Sequence, residues 1–325
     1  MDRGNELLKE SVVMANELDV AGEFIYAAID KFNKMNNFDQ VGDNFFFLYH
    51  LAVGIERVQK ILLVIINDVE RDEIEDFLEK IKSHNHMMLH GKIKEKVNIS
   101  FSKEQNDLLN LLSEFYNAER YARFNFFSYN FKDRDLLTEY VQKYCKNISF
   151  DYSLCKKTPL NTDEVKEFFG RVIGRLCQKY YKLIEEESRN RNIYCYELRY
   201  NSAAERVFCG NEDKGSYQKK IDKEKRAIKE LLLYLRSPQE MNKFIEHMDQ
   251  IESLPFDIAL IQEYVADLCN KTVSVDLIDE VDFMYEEFVE DKREREEMVS
   301  LIGDKGVMFD WEEEEPVPAI QLYAL

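Results

Sequence analysis

Three of the five histidines lie within one seven-residue segment, at His84, His86 and His90. Imidazole is a common metal ligand, and two histidines four residues apart on a helix, such as His86 and His90, can chelate one ion. No nearby cysteine or obvious carboxylate completes a ligand set, so the segment predicts no metal site. We expect these side chains to lie at a helix end or to line a cleft, in a structural role.

Tyrosines and arginines are interleaved along a basic stretch from Lys179 to Lys229. Bases can stack on aromatic rings while arginines neutralise phosphates, and the same two residue types dominate protein interfaces. Tyr180 and Tyr181 are expected in the core. The predicted contacts to RNA or to a partner protein are Arg189, Arg191, Tyr194, Tyr196, Arg199 and Arg206.

The net charge of −19 is distributed unevenly. Residues 171–236 contain 16 basic and 10 acidic residues, whereas residues 237–325 contain 6 basic and 24 acidic ones. The whole chain should therefore repel nucleic acid, although the basic middle segment can contact phosphate locally. For any single charged run, a solvated helix face is the alternative interpretation.

Several common classes of enzyme are excluded by their missing motifs. The sequence has no P-loop, no G-x-G-x-x-G, no H-E-x-x-H, no G-x-S-x-G and no kinase signature, so we expect no cofactor. The longest aliphatic run, residues 61–66, is too short to span a bilayer. The six cysteines form no C-x-x-C pair, which is typical of free thiols in a reducing compartment. These features predict a cytoplasmic protein that does not enter a membrane.

Apolar spacing predicts an all-α multi-helix bundle. Apolar residues recur every three or four positions over 5–35, 48–65 and 165–183, and only five prolines and eleven glycines interrupt the chain. Ser102 begins a capping-box pattern, and Asn161 precedes a second helix start with an acidic first turn. Further helices are predicted up to about residue 235, from Ser237-Pro238, and near 256–269 and 279–302. Alternating residues predict one small β-hairpin insertion near 193–209.

The predicted domain organisation has three parts. A helical domain covers residues 1–155, a second helical region covers 156–311, and a tail covers 312–325. The tail begins with four consecutive glutamates and ends in apolar residues. A segment of this composition gains little free energy by burial.

Segments within the first domain resemble a known family in their order. A long helix includes Leu51 to Leu63, the histidine segment follows it, and the run from Leu112 to Phe124 comes next. This order resembles the HEPN superfamily of small helical bundles from bacterial antiviral defence and toxin–antitoxin systems. The resemblance covers about residues 40–150.

Catalytic members of that superfamily are metal-independent ribonucleases, in which an arginine is followed after four to six residues by a histidine near a dimer interface. The arginine would hold the scissile phosphate, and the histidine would move the 2′-hydroxyl proton. The nearest matches here are Arg120 with Asn125 and Arg123 with Asn130. Asparagine cannot act as a general base. The resemblance thus implies a phosphate site without its proton shuttle, while a surface ion pair such as Arg123 with Glu119 is the structural alternative.

Three functions follow as hypotheses. The first is a non-catalytic or weakly catalytic HEPN-like protein that acts through contacts with a protein partner or a second copy, and with RNA. The second is a metal-independent endoribonuclease that combines Arg120 or Arg123 with a histidine from the 84–90 segment. The third is an acidic helical scaffold whose acidic end mimics nucleic acid.

Overall fold

The computed structural model of the chain describes residues 3–67, 69, 73–116, 132–146, 148–151, 158–193, 217–236, 242–304, 306, 307 and 309. Side chains are described from residue 11 in the first helix and from residue 221 in the eighth. Within these ranges the chain forms twelve helices and one two-stranded ribbon, which confirms the predicted all-α multi-helix bundle. None of the twelve helices is both long enough and apolar enough to cross a membrane.

Two compact units divide the chain, Met1–Asp222 and Lys223–Leu325. The described part of the first unit contains seven complete helices and the start of an eighth. These are α1 (Arg3–Lys34), α2 (Val41–Ile66), α3 (Ile74–Lys80), α4 (His86–Lys94), α5 (Lys103–Glu114), α6 (Lys132–Tyr144), α7 (Asp163–Asn190) and α8 (Tyr217–Arg236).

Helix α2 lies at the centre of the first unit, because it packs against α1, α4, α5, α6 and α7. The predicted apolar stripe from Leu48 to Ile65 is buried in this core. The close approach of α1 to α2 depends on Gly54. A Cβ atom at that position would lie 2.4 Å from Cγ1 of Ile25, so only glycine fits without a shift of its neighbour.

Helices α5 and α7, which carry the site described below, both begin at local sequence signals. At α5 the Ser102 side chain accepts a hydrogen bond from the backbone N–H of Gln105. The Gln105 side chain accepts one from the backbone N–H of Ser102, which confirms the capping box. Helix α7 begins at Asp163, where the predicted acidic first turn also contains Glu164.

The ribbon consists of β1 (Phe150–Asp151) and β2 (Thr158–Pro159), which pair antiparallel. This position differs from the predicted one, since strand was expected mainly at 193–209. Two-residue strands contain no alternation long enough to be recognised in a sequence. The predicted hairpin falls almost wholly on residues 194–216, which lie outside the described residues.

The boundary between the units falls 67 residues beyond the predicted one at 155/156. The cause is helix α7, which packs against α1, α2 and α5. The ring centroid of Phe169 on α7 lies 4.5 Å from that of Phe32 on α1, and Tyr180 is fully buried, as predicted. A boundary before α7 would expose this apolar face, so α7 belongs to the first core.

The second unit continues from the later part of α8 with four shorter helices. Their caps are the side chains of Asn242, Ser274 and Asp291 for three of them. The predicted start at Ser237-Pro238 lies outside the described residues. The helices are α9 (Lys243–Asp249), α10 (Ile261–Cys269), α11 (Val275–Glu287) and α12 (Lys292–Ser300).

Candidate functional site

A groove of about 330 Å³ is lined by the start of α5 and the middle of α7 in the first unit. Its charged residues are three cations and one carboxylate, so its local charge is positive although the chain is acidic. The lining residues are Ser102, Glu104, Gln105, Phe168, Arg171, Val172, Arg175 and Lys179.

The three cations share one face of α7 because they are spaced four residues apart. Arg171, Arg175 and Lys179 follow one another at about 6 Å along the helix axis. Val172 and Leu176, each one position further along the chain, are buried in the core. The helix thus presents its apolar face to the bundle and a row of positive charges to the groove.

Lys179 joins the two helices at one end of the groove. Its ammonium group donates hydrogen bonds to the carbonyl of Ser100, 2.7 Å away, and to Oε1 of Gln105, 3.1 Å away. It also lies 5.3 Å from the ring centroid of Phe101, within the range of a cation–π interaction. Partial burial and the neighbouring Arg175 lower the pKa of Lys179 from its ordinary value. The position of this cation is therefore fixed by the fold.

Glu104 opposes part of the positive charge. A hydrogen bond from the Ser102 side chain holds the pKa of Glu104 below its ordinary value, and the charge of Arg171 acts in the same direction. The carboxylate thus stays ionised at neutral pH and offsets one of the three cations. The start of α5 is closed by its own capping box, so the anion-binding capacity of the groove comes from the α7 cations.

The chemistry of the groove is that of anion binding. Arginine binds phosphate or carboxylate through two parallel hydrogen bonds, and lysine contributes a point charge. A row of cations in a groove can follow a phosphate backbone. Histidine and cysteine are absent from its lining residues, so the groove supplies neither a proton shuttle nor a thiol nucleophile.

The histidine segment separates into two environments. His86 and His90 lie on α4 and belong to a buried network with Gln59 and Tyr180. The Nδ1 atom of His86 lies 3.0 Å from Oε1 of Gln59. The Gln59 amide donates to the Tyr180 hydroxyl at 2.9 Å, and that hydroxyl lies 2.9 Å from Nδ1 of His90.

One assignment of donors and acceptors gives each hydrogen bond of this network one hydrogen. His86 donates from Nδ1 to Gln59, Gln59 donates to Tyr180, and Tyr180 donates to Nδ1 of His90. Burial lowers the pKa of both histidines from 6.5 to about 4, so both are neutral at pH 7. Among the described residues no cluster of three potential metal ligands is present. The network supports the structural role expected for His86 and His90.

His84 lies outside this network and is about half exposed, with 46% of its side chain accessible. Its Nδ1 atom is 2.8 Å from Oε2 of Glu56, whose other oxygen is 2.7 Å from the ammonium of Lys60. Glu56 and Lys60 are four residues apart on α2, so their pair lies along one helix face. The ring of His84 also packs on Tyr116 at 4.3 Å. A histidine oriented by a carboxylate in this way can transfer a proton.

Two of the predicted contact residues are described, and both bind other residues of the same chain. Arg189 forms an exposed ion pair with Glu185 at 2.7 Å. Arg191 donates to the carbonyl of Ile65 near the end of α2, at 3.3 Å. The other four predicted contacts lie outside the described residues, namely Tyr194, Tyr196, Arg199 and Arg206. The four catalytic candidates also lie outside them, namely Arg120, Arg123, Asn125 and Asn130.

Arg171 and Arg175 are absent from the predicted contacts, although a signal for them exists. Both lie in the segment 165–183 that the sequence predicts as a helix, at a spacing of four from each other and from Lys179. That spacing predicts a charged row on one helix face.

Comparison of the chain with protein-family models, with curated proteins and with solved structures returned no match. The resemblance to the HEPN superfamily therefore stays a prediction. The described features that could act on a ligand are the groove and the pair formed by His84 and Glu56.

Proposed function

We propose that the protein binds the phosphate backbone of RNA in the groove between α5 and α7. The observation that carries this proposal is the row of Arg171, Arg175 and Lys179 along one groove wall, in a chain whose net charge is −19. Three cations concentrated on one face favour a ligand with several neighbouring negative charges. The bacterial defence or toxin–antitoxin setting comes from the HEPN resemblance, as does assembly with a partner or a second copy. The cytoplasmic location is the one that the unpaired cysteines and the lack of a long apolar run predict.

RNA binding of this kind should be short-range and local. The acidic remainder of the chain repels a long polyanion, whereas the groove attracts the few phosphates that enter it. Lys179 is held by Ser100 and Gln105, so this cation needs little ordering when a ligand binds. We therefore expect modest affinity for single-stranded RNA, with little dependence on base sequence, because backbone contacts do not identify bases.

The test is fluorescence anisotropy of a short labelled single-stranded RNA at low salt. The double variant Arg171→Gln/Arg175→Gln removes two groove charges. The double variant Lys182→Gln/Arg189→Gln removes two charges from the same helix outside the groove lining. We expect the groove variant to lower affinity about tenfold or more, since each contact of a charged group with phosphate contributes about 1 kcal/mol or more.

The matched variant decides between the groove and the overall charge. If both double variants weaken binding equally, binding follows net charge and the groove has no special role. If only Lys182→Gln/Arg189→Gln weakens it, the contact surface is the one predicted around Arg189. Either result, or the absence of RNA binding by the unmodified chain, overturns the proposal.

A second candidate function is metal-independent cleavage of RNA, and the observation that favours it is the pair of His84 and Glu56. The carboxylate orients the imidazole, and 46% of the side chain is accessible to a substrate. In the sequence, Arg120 and Arg123 follow the His84 neighbour Tyr116 by four and seven residues. A phosphate held by either arginine and a proton moved by His84 would make a ribonuclease.

Cleavage assays with EDTA distinguish this candidate from simple binding. Activity that is lost in His84→Ala and in Arg123→Ala, and kept in His50→Ala, would support the ribonuclease. His50 is a suitable control, because its ring is partly exposed and bonds the carbonyl of Phe46. Activity that survives all three substitutions indicates a contaminating nuclease.

A further inference from the structure

The second unit exposes an unusually large share of apolar side chains. Of the 21 large hydrophobic residues exposed in the described parts of the chain, 14 belong to residues 223–325. Among the described residues of this unit only four apolar side chains are buried, namely Ile245, Tyr264, Cys269 and Met284. Exposed apolar surface in such excess over the buried core is typical of a site where another molecule binds.

Helix α10 carries the most regular part of this surface. Ile258 lies in the turn before the helix, and Ile261, Val265 and Leu268 follow at spacings of three, four and three residues. These spacings place all four on one face. Their exposed fractions are 89%, 39%, 40% and 45%. We call these four residues the α10 stripe.

The α10 stripe belongs to a strongly acidic segment of the chain. Residues 242–304 contain 18 acidic and 5 basic side chains, a net charge of −13. On α10 itself the charged residues are Glu263 and Asp267. Lys271, two residues after the end of α10, is paired with Glu224 at 2.7 Å. A ligand for this surface should therefore combine apolar and basic groups.

The charge of this segment distinguishes between the molecules that could bind the α10 stripe. A second copy would bring together two segments 242–304 that each have a net charge of −13, and RNA would be repelled. The apolar end of the chain's own tail, residues 320–325, contains no basic side chain and follows the four glutamates at 312–315, so the tail does not complement a negative surface. A basic segment of a partner protein has the complementary charge.

We propose that the α10 stripe is the docking site for a basic amphipathic helix of a partner protein. The apolar face of that helix would cover Ile258, Ile261, Val265 and Leu268, and its lysines or arginines would lie beside the acidic residues of the second unit. This is the arrangement of a helix in a groove or on a helix face, with anchors at positions i, i+3 or i+4, and i+7. It is independent of the RNA groove, which belongs to the first unit.

The test uses the full chain and a labelled helical peptide of leucines at positions i, i+3, i+4 and i+7 with lysines elsewhere. A second peptide has glutamate in place of every lysine. The variant Val265→Ser/Leu268→Ser should weaken binding of the lysine peptide about tenfold or more, because two apolar anchors are lost. The matched variant Val12→Ser/Val13→Ser changes two valines of the first unit that are 44% and 53% exposed, and it should leave binding unchanged.

A charge variant keeps the proposal testable if the serine substitutions unfold the second unit. Glu263→Gln/Asp267→Asn retains the α10 stripe, and it should weaken lysine-peptide binding and reduce its salt dependence. Equal binding of both peptides, or equal binding by wild type and both α10 variants, would overturn the proposal. So would light scattering that shows a wild-type dimer dissociated by Val265→Ser/Leu268→Ser, since the stripe would then join two copies. RNA binding should be the same in all these variants.

Discussion

Acidification from pH 7 to pH 5 should destabilise the first unit by about 2 kcal/mol through His86 alone. The ordinary pKa of histidine is 6.5, and burial lowers the pKa of His86 to about 4. One pKa unit corresponds to about 1.4 kcal/mol. At pH 5 the unfolded chain has bound a proton at His86 and the folded chain has not. Because pH 5 lies about 1.5 units below the ordinary histidine pKa, the unfolded state gains about 2 kcal/mol.

The sign follows from the depressed folded-state pKa. Above pH 6.5 the histidine is neutral in both states and costs nothing, whereas the penalty grows as the pH falls from 6.5 to about 4. The geometry explains the penalty. Nδ1 of His86 already donates to Gln59, and Nε2 is buried with no hydrogen-bond partner among the described residues. A second proton would place an unpaired charged donor in the core.

Urea denaturation followed by far-ultraviolet circular dichroism at pH 7 and pH 5 measures this effect. The comparison is the change in unfolding free energy between the two pH values, in wild type, His86→Gln and His50→Gln. The His86 variant should reduce that change by about 2 kcal/mol, whatever its stability at pH 7. His50 lies outside the buried network and is partly exposed, so His50→Gln is the control for loss of a histidine elsewhere in the unit.

An equal pH dependence in wild type and His86→Gln would refute this reasoning, because His86 would then not be buried as a neutral ring. Titration of the histidine ring protons by NMR gives an independent reading. A His86 pKa near 6.5 would contradict the buried network. His90, whose pKa is also lowered to about 4 by burial, should add to the acid destabilisation of wild type.

Three further predictions concern packing, capping and the tail. Gly54→Ala should lower the free energy of unfolding by about 1–3 kcal/mol in a thermal or urea melt, because its Cβ would lie 2.4 Å from Cγ1 of Ile25. Gly91→Ala is the control and should be neutral or slightly stabilising, since a Cβ there meets nothing within 4 Å. Ser102→Ala should cost about 1 kcal/mol by removing the capping box. Removal of residues 312–325 should lower the melting temperature by less than about 8 °C, and RNA binding that appears only after this truncation and fades with salt would identify the tail as an electrostatic shield.

Helices and their starts were predictable because their signals are local. The stripe from Leu48 to Ile65 lies within one helix, and the Ser102 capping box involves residues three apart. The buried network depends on Gln59 and Tyr180, which are 121 residues apart in the chain. Their contact is created only when α2 and α7 pack together, and neither residue carries a local signal for it.

The candidate site was predictable only in part, for the same reason. The spacing of Arg171, Arg175 and Lys179 is visible in the sequence, but the groove exists because the start of α5 packs beside them. The three clustered histidines suggested one environment. The structure separates them, since His84 precedes α4 and pairs with Glu56, whereas His86 and His90 are buried.

The salt dependence of RNA binding tests the proposed groove most directly. Three phosphate contacts on single-stranded RNA predict a slope of about −2 for the logarithm of affinity against the logarithm of salt concentration. A fourfold increase in salt should therefore weaken binding about 20-fold. Arg175→Gln should make the slope shallower by about 0.7, while Lys182→Gln, on the same helix outside the groove, should leave it unchanged. Equal slopes for wild type and Arg175→Gln would contradict the account.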